Sequence, residues 1–321
     1  MSEQRNEIDD VSGVATTGHE WDGIKELDNP LPRWWLIIFY ATIAFSAVYW
    51  VMMPAWPTLN GFTHGVRNYS DRAVVAQELD SLRSQRAPEF ARLMQVSAEQ
   101  AEQDPALMTF ARAAGRAAFG DNCATCHGAG AQGAKGYPNL NDNVWIWGGT
   151  LEAIETTLRV GIRSDHPEAR FSQMPAYGAD QLLDEKQIAD AAEYVVSLAG
   201  GPAKAEAAAR GAAIFAEQCT ACHGADGKGN RDLGAPNLTT GLYLKADPAA
   251  VAEKDWTSLR TAIVAQIHSG AGGVMPTWEQ RLDPGTIRAL AIYVHSLGGG
   301  ETTSAADPTG APALAAPNPT R

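Results

Sequence analysis

The sequence predicts a mainly α chain: one N-terminal transmembrane helix followed by two tandem helical domains. Three observations predict it. Residues 34–53, WWLIIFYATIAFSAVYWVMM, run for twenty positions without a charge. All four cysteines of the 321-residue chain fall in two copies of one pattern, C-A-T-C-H at 123–127 and C-T-A-C-H at 219–223. Each copy stands in a longer repeat, because Gly115, Phe119 and Cys123 recur as Gly211, Phe215 and Cys219.

Residues 1–33 form an acidic leader, too long and too acidic for a cleaved signal peptide. The segment 34–57 is the anchor: at ~1.5 Å per residue the apolar run covers a ~30 Å hydrocarbon core. Trp34 and Trp35 at one end and Tyr49, Trp50 and Trp56 at the other supply interfacial belts. Residues 58–107 read as a helical linker, amphipathic through Val74, Val75, Leu79 and Leu82 and broken near Ala87-Pro88. The two domains are 108–198 and 204–297. In each, a glycine and a phenylalanine four apart share one helix face that runs into the cysteine motif. Downstream, Pro138-Asn139-Leu140 answers Pro236-Asn237-Leu238, Met174-Pro175 answers Met275-Pro276, and Tyr194-x-x-Ser197-Leu198 answers Tyr293-x-x-Ser296-Leu297. The remainder, 298–321, is Gly, Ala, Thr and Pro with few apolar anchors, a composition that predicts disorder.

C-x-x-C-H is the attachment signature of c-type haem: both thiols join the porphyrin edge and the histidine becomes the proximal iron ligand. Cys123, Cys126 and His127 make one such set, and Cys219, Cys222 and His223 the other, for two covalently bound haem c groups. A zinc site built from four thiolates would leave both histidines unexplained, and a thiol-redox site needs a βαβ context that this Ala/Gly-rich sequence lacks. Met174 and Met275, in Gly/Pro-punctuated loops at matching places of the repeat, are the candidate sixth ligands; thioether ligation raises the potential relative to bis-histidine. His166 and His268 are the competing ligands, read as surface or supporting histidines because they do not occupy equivalent positions. His295, on the last helix, is expected to face solvent. Trp145, Trp147 and Arg163 are candidate haem-pocket residues, Arg163 as a propionate partner.

The order helix, haem motif, glycine-rich loop, helix, Met-Pro loop, terminal helix resembles class I cytochromes c over 108–198 and 204–297. That resemblance implies that the first helix crosses the last within each repeat, Phe119 against Tyr194 and Phe215 against Tyr293. Own-domain ligation, each methionine serving the haem of its own repeat, is the default; an exchanged arrangement stays open.

The leader HEWDGIKELDNPLPRWW at 19–35, the segment IRSDHPEARFSQMPAYG at 162–178 and the order of parts resemble the di-haem subunit, subunit III, of cbb3-type cytochrome c oxidases. What the resemblance implies is a membrane-anchored electron carrier within a proton-pumping haem-copper oxidase. It would take electrons from a soluble or membrane-bound donor cytochrome c and pass them toward a mono-haem cytochrome c subunit and the catalytic haem-copper subunit. A di-haem carrier of another membrane complex, of alcohol dehydrogenase or nitric oxide reductase type, and a di-haem peroxidase are the alternatives.

Basic residues are sparse on both flanks of the span, so charge does not orient it. Haem c attachment outside the bacterial cytoplasmic membrane does, placing the haem domains in the periplasm and the leader in the cytoplasm. No basic patch supports nucleic-acid binding. The net charge of −12 is uneven: residues 108–198 carry seven Lys/Arg and eleven Asp/Glu, and 204–297 nine of each. The first repeat is therefore the expected docking surface for a basic donor.

Overall fold

A computed structural model describes residues 7–270 and 272–302. It divides into two compact units after Gln85.

The first unit opens with a β-hairpin, β1 (Thr16–Trp21) and β2 (Ile24–Leu27), paired antiparallel with Trp21 opposite Ile24. Its turn residues Asp22 and Gly23 both have positive φ, as a two-residue Asp-Gly hairpin turn requires. The helical reading of the sequence missed this hairpin, although W-D-G-I carries its turn signal. α1 (Arg33–Met52) has no buried residue and is long and apolar enough to cross a membrane. A small hairpin follows, β3 (Pro57–Thr58) with β4 (Gly61–Phe62). α2 (Asp71–Gln95) runs on through Pro88, correcting the break expected there. Pro88 is exposed, so the carbonyl it deprives of a donor remains open to water. The helix ends instead within the second unit, before Ser97, whose side chain and Gln100 form a capping box for α3 (Ala98–Gln103), also of the second unit.

The second unit holds the repeats. α4 (Pro105–Asn122), capped by Asp104, leads into the haem-motif turn α5 (Ala124–His127); α6 (Leu151–Val160) ends at Gly161. α7 (Glu185–Leu198) starts from the capping box of Asp184 and Gln187. In the second repeat come α8 (Ala205–Gln218), α9 (Thr220–His223), α10 (Pro248–Glu253), α11 (Trp256–Ser269) and α12 (Pro284–His295).

The packing corrects the expected within-repeat crossing. α4 packs on α12, and α7 packs on α8. Phe119 meets Tyr293 with ring centroids 5.5 Å apart, and Tyr194 meets Phe215 at 5.1 Å. The crossing glycines agree: a Cβ on Gly115 would strike Ala289 and Tyr293, and one on Gly211 would strike the Asp190 backbone. Only six residues separate α7 from α8, a connection that favours an antiparallel helix hairpin. Arg210 fixes it by donating from Nε and Nη2 to the two carboxylate oxygens of buried Asp190, each at 2.7 Å. The result is one contiguous body, 174–270, in which the Met174 loop and α7 precede α8 to α11. It is inserted into a second body made of 105–160 and 275–302. The segments 161–173 and 272–274 lie between the two bodies in sequence.

The expected disordered tail is also corrected at its start. Trp145 donates from Nε1 to the Gly299 carbonyl at 2.6 Å, and the Gly149 amide and Arg231 both bond the Glu301 carboxylate. Residues 303–321 lie outside the described residues.

Candidate haem sites

Each haem motif is one helical turn closing a long helix, which places its cysteines at the edge of an apolar cluster. Cys123 is buried and Cys126 exposed; Cys219 is half-buried and Cys222 exposed. Burial pushes the thiols of Cys123 and Cys219 up to about 11. His127 and His223 are oriented alike: the Nδ1 of each lies 3.1 Å from a backbone carbonyl, Pro138 and Pro236 respectively. That contact fixes the proton on Nδ1 and leaves the Nε2 lone pair for a metal. Desolvation lowers both imidazole pKa values, which keeps the rings neutral.

The methionines fall in the exchanged clusters. Met275 packs with Phe119, Cys123, Leu158 and Trp278; Met174 packs with Phe215, Cys219, Tyr177 and Ile267. Each Met-Pro loop is pinned by the helix that follows the other repeat's haem motif. Ile162 and Met275 exchange backbone bonds at 2.9 and 3.0 Å, and Thr277 donates to the Arg159 carbonyl at 2.6 Å. In the other body, the Tyr177 and Gly178 amides donate to the Ile267 and His268 carbonyls, each at 3.1 Å, and Tyr177 Oη donates to the Gln218 carbonyl at 2.7 Å. Gly161 and Gly270 have φ of 73° and 69°, and a Cβ on either would lie about 2.5 Å from the carbonyl oxygen of Met275 or Met174 respectively.

The donor set fits haem c and not zinc, because Cys123 and Cys219 belong to separate clusters. One further observation supports the fit. The Tyr243 hydroxyl is buried with no hydrogen-bond partner among the described residues, and its burial pushes the phenol up to about 12. An acceptor such as a haem propionate would satisfy it. Tyr243 stands five residues beyond Leu238, as Trp145 stands five beyond Leu140, so it is the counterpart of the tryptophan the sequence singled out.

The remaining candidates have other partners. Trp145 packs on the Met275 cluster but spends its N–H on Gly299. Trp147 lies under the Arg170 guanidinium, whose carbon is 5.4 Å from the ring centroid, and against Gly234 of the other body. Arg163, itself at φ 51°, donates to the Gly273 and Ser172 carbonyls at 2.5 and 2.6 Å and so ties the two crossovers together. His166 lies 3.0 Å from the Glu279 carboxylate, and His268 is exposed. His295 does not face solvent as expected; its ring lies between Glu102 at 2.7 Å and the Glu301 carbonyl at 3.0 Å.

Comparison with known proteins identifies the family. Residues 13–60 match the family described as the N-terminal domain of cytochrome oxidase-cbb3, FixP; 112–199 match cytochrome c; and 206–294 match cytochrome c oxidase, cbb3-type, subunit III. A cbb3-type cytochrome c oxidase subunit FixP of Bradyrhizobium sp. (strain ORS 278) is 52% identical over 297 residues, covering 92% of this chain and 99% of the relative. The FixP subunit of Azorhizobium caulinodans is 49% identical, covering 92% and 96%. A CcoP subunit from Cereibacter sphaeroides is 46% identical, covering 89% and 95%. With its leader, its apolar helix and both haem-motif repeats matched in order, the chain belongs to the FixP/CcoP family of cbb3-type cytochrome c oxidase subunits.

Proposed function

We propose that this oxidase subunit carries two six-coordinate haem c centres whose methionines are exchanged between the repeats, His127 with Met275 and His223 with Met174. The observation that carries the reading is that Met275 shares a cluster with Cys123, and Met174 with Cys219. Bound haem supplies one-electron Fe(III)/Fe(II) exchange. The chain's own residues do the rest. The Pro138 and Pro236 carbonyls aim the imidazoles, Met275 and Met174 would supply the second protein ligand of each haem, and the apolar packing around them would exclude water. Two closed centres suit electron transfer rather than peroxide chemistry.

The span anchors the subunit in the bacterial inner membrane with both haem bodies in the periplasm, because haem c is attached there. Electrons then pass from a donor cytochrome c through this subunit toward the mono-haem and haem-copper subunits. A periplasm-dependent reporter fused after Thr302 is expected to be active and one fused after Ser12 inactive; the opposite pattern would overturn the orientation.

Single-haem variants test the ligation. With Cys219 and Cys222 replaced by Ala, only the first haem is attached. Met275→Leu is then expected to abolish the methionine–iron charge-transfer band at the red end of the spectrum, and Met174→Leu to leave it. The reverse result would establish own-repeat ligation.

A further inference from the structure

The two centres are built alike but differ beside the methionine sulfur. Gln266 lies on α11 four residues before Gly270, and its backbone carbonyl caps that glycine. Its side-chain nitrogen donates to the Gly270 carbonyl at 2.6 Å and lies 3.8 Å from Met174 Sδ. The carbonyl identifies the nitrogen, since an amide oxygen would be repelled there. One amide hydrogen is taken by Gly270 and the second is left for the thioether. The equivalent position in the other body is Thr157, four residues before Gly161 and capping it in the same way. Thr157 donates its hydroxyl back to the Ala153 carbonyl at 2.8 Å, a bond internal to α6. Met275 Sδ accepts no hydrogen bond among the described residues.

From this asymmetry we infer that Gln266 is a positioning residue that makes the Met174 centre the more oxidising of the two. The inference rests on the exchanged ligation proposed above. A methionine sulfur gives lone-pair density to iron, and the ferric state needs it more. An N–H bonded to that sulfur withdraws density and holds its lone pair in one orientation, so it disfavours the ferric state and raises the potential. Hydrogen bonding around the ligands is one of the levers by which a protein sets a haem potential. Gln266 is neutral, so the effect does not depend on its titration, and Arg163, Arg170 and the acids of the crossovers remain untouched by its replacement.

The test is a spectroelectrochemical titration of the holoprotein. Gln266→Leu keeps a long, helix-compatible side chain without the donor. It is expected to shift electron sharing between the two haems three- to tenfold away from the Met174 centre; tenfold corresponds to 59 mV for a one-electron couple. The other potential should stay in place, and both charge-transfer bands should persist. Thr157→Gln is the reciprocal variant, expected to raise the Met275 centre, and it tests the idea even where Gln266→Leu disturbs α11. Unchanged potentials in both variants would overturn the inference, as would equal movement of both haems. Loss of a band in either variant would also count against it, because the methionine would then have been displaced rather than tuned. Absence of the bands from the unaltered protein would overturn the ligation reading itself, a separate result.

Discussion

Asp190 carries much of the exchanged architecture on one side chain. Its carboxylate, buried on α7, accepts both donors of Arg210 on α8, and that bond holds its pKa below the usual carboxylate range. A group depressed on folding contributes stability above its unfolded pKa of about 3.9, and that contribution is lost as pH falls through the lower folded value. Thermal melts between pH 6 and 2 are therefore expected to fall steeply at the acid end for the native chain and more shallowly for Asp190→Asn, which starts less stable at neutral pH. Identical acid limbs would show that the pair contributes nothing. Gly161 and Gly270 make a second prediction at this scale. Alanine at either would combine positive φ with a clash against the facing methionine carbonyl, costing about 1–3 kcal/mol. Gly161→Ala should weaken the band of the Met275 centre first, measured by the temperature at which it disappears. The candidate ligand residues stand out in the sequence because C-x-x-C-H, and Met-Pro loops at matching places of a repeat, have few other uses. Gln266 and Tyr243 were not, since an amide or phenol gains meaning only from what lies 3–4 Å away.

Helices were read correctly where apolar spacing and caps coincided, as in α4, α6 and α12. They were misread where a local rule met no opposing pressure, as at exposed Pro88. Which helix pairs with which was not legible at all, for a physical reason. The Gly-x-x-x-Phe face and the Tyr-x-x-Ser-Leu face are the same in both copies, so the sequence specifies that a first helix needs a last helix without specifying whose. The six-residue link between α7 and α8, the Asp190–Arg210 pair and the bond from the Lys204 amide to Glu193 select the neighbour. This gives a prediction that separates the two arrangements. Gly211→Val overpacks the α7–α8 crossing, at about 1–3 kcal/mol, and should lower the thermal stability of the Met174 charge-transfer band before that of Met275. Gly115→Val at the α4–α12 crossing should act on the Met275 band. Within-repeat packing would invert both outcomes.

Across the whole molecule, exchange redistributes charge as well as helices. The acidic first repeat is not a physical surface, because its last helix belongs to the other body. Residues 174–270 carry eight Lys/Arg and twelve Asp/Glu, whereas 105–160 with 275–302 carry six and seven. The more acidic body is therefore the one that holds the haem motif of Cys219–His223. Asp180 and Glu185 are exposed on it, while Asp184 is committed to capping α7. Long-range attraction raises association rates by one to three orders of magnitude and is screened over a Debye length of ~8 Å at physiological salt. A basic donor cytochrome is accordingly expected to deliver its electron to the Met174 centre. Replacing Asp180 by Asn and Glu185 by Gln should slow electron entry several-fold at low ionic strength and flatten its salt dependence, leaving the rate at high salt unchanged. Stopped-flow mixing with the reduced donor measures this. An equal loss at all salt concentrations would point to damaged structure instead, and an effect confined to acids on 105–160 would move the docking surface to the other body.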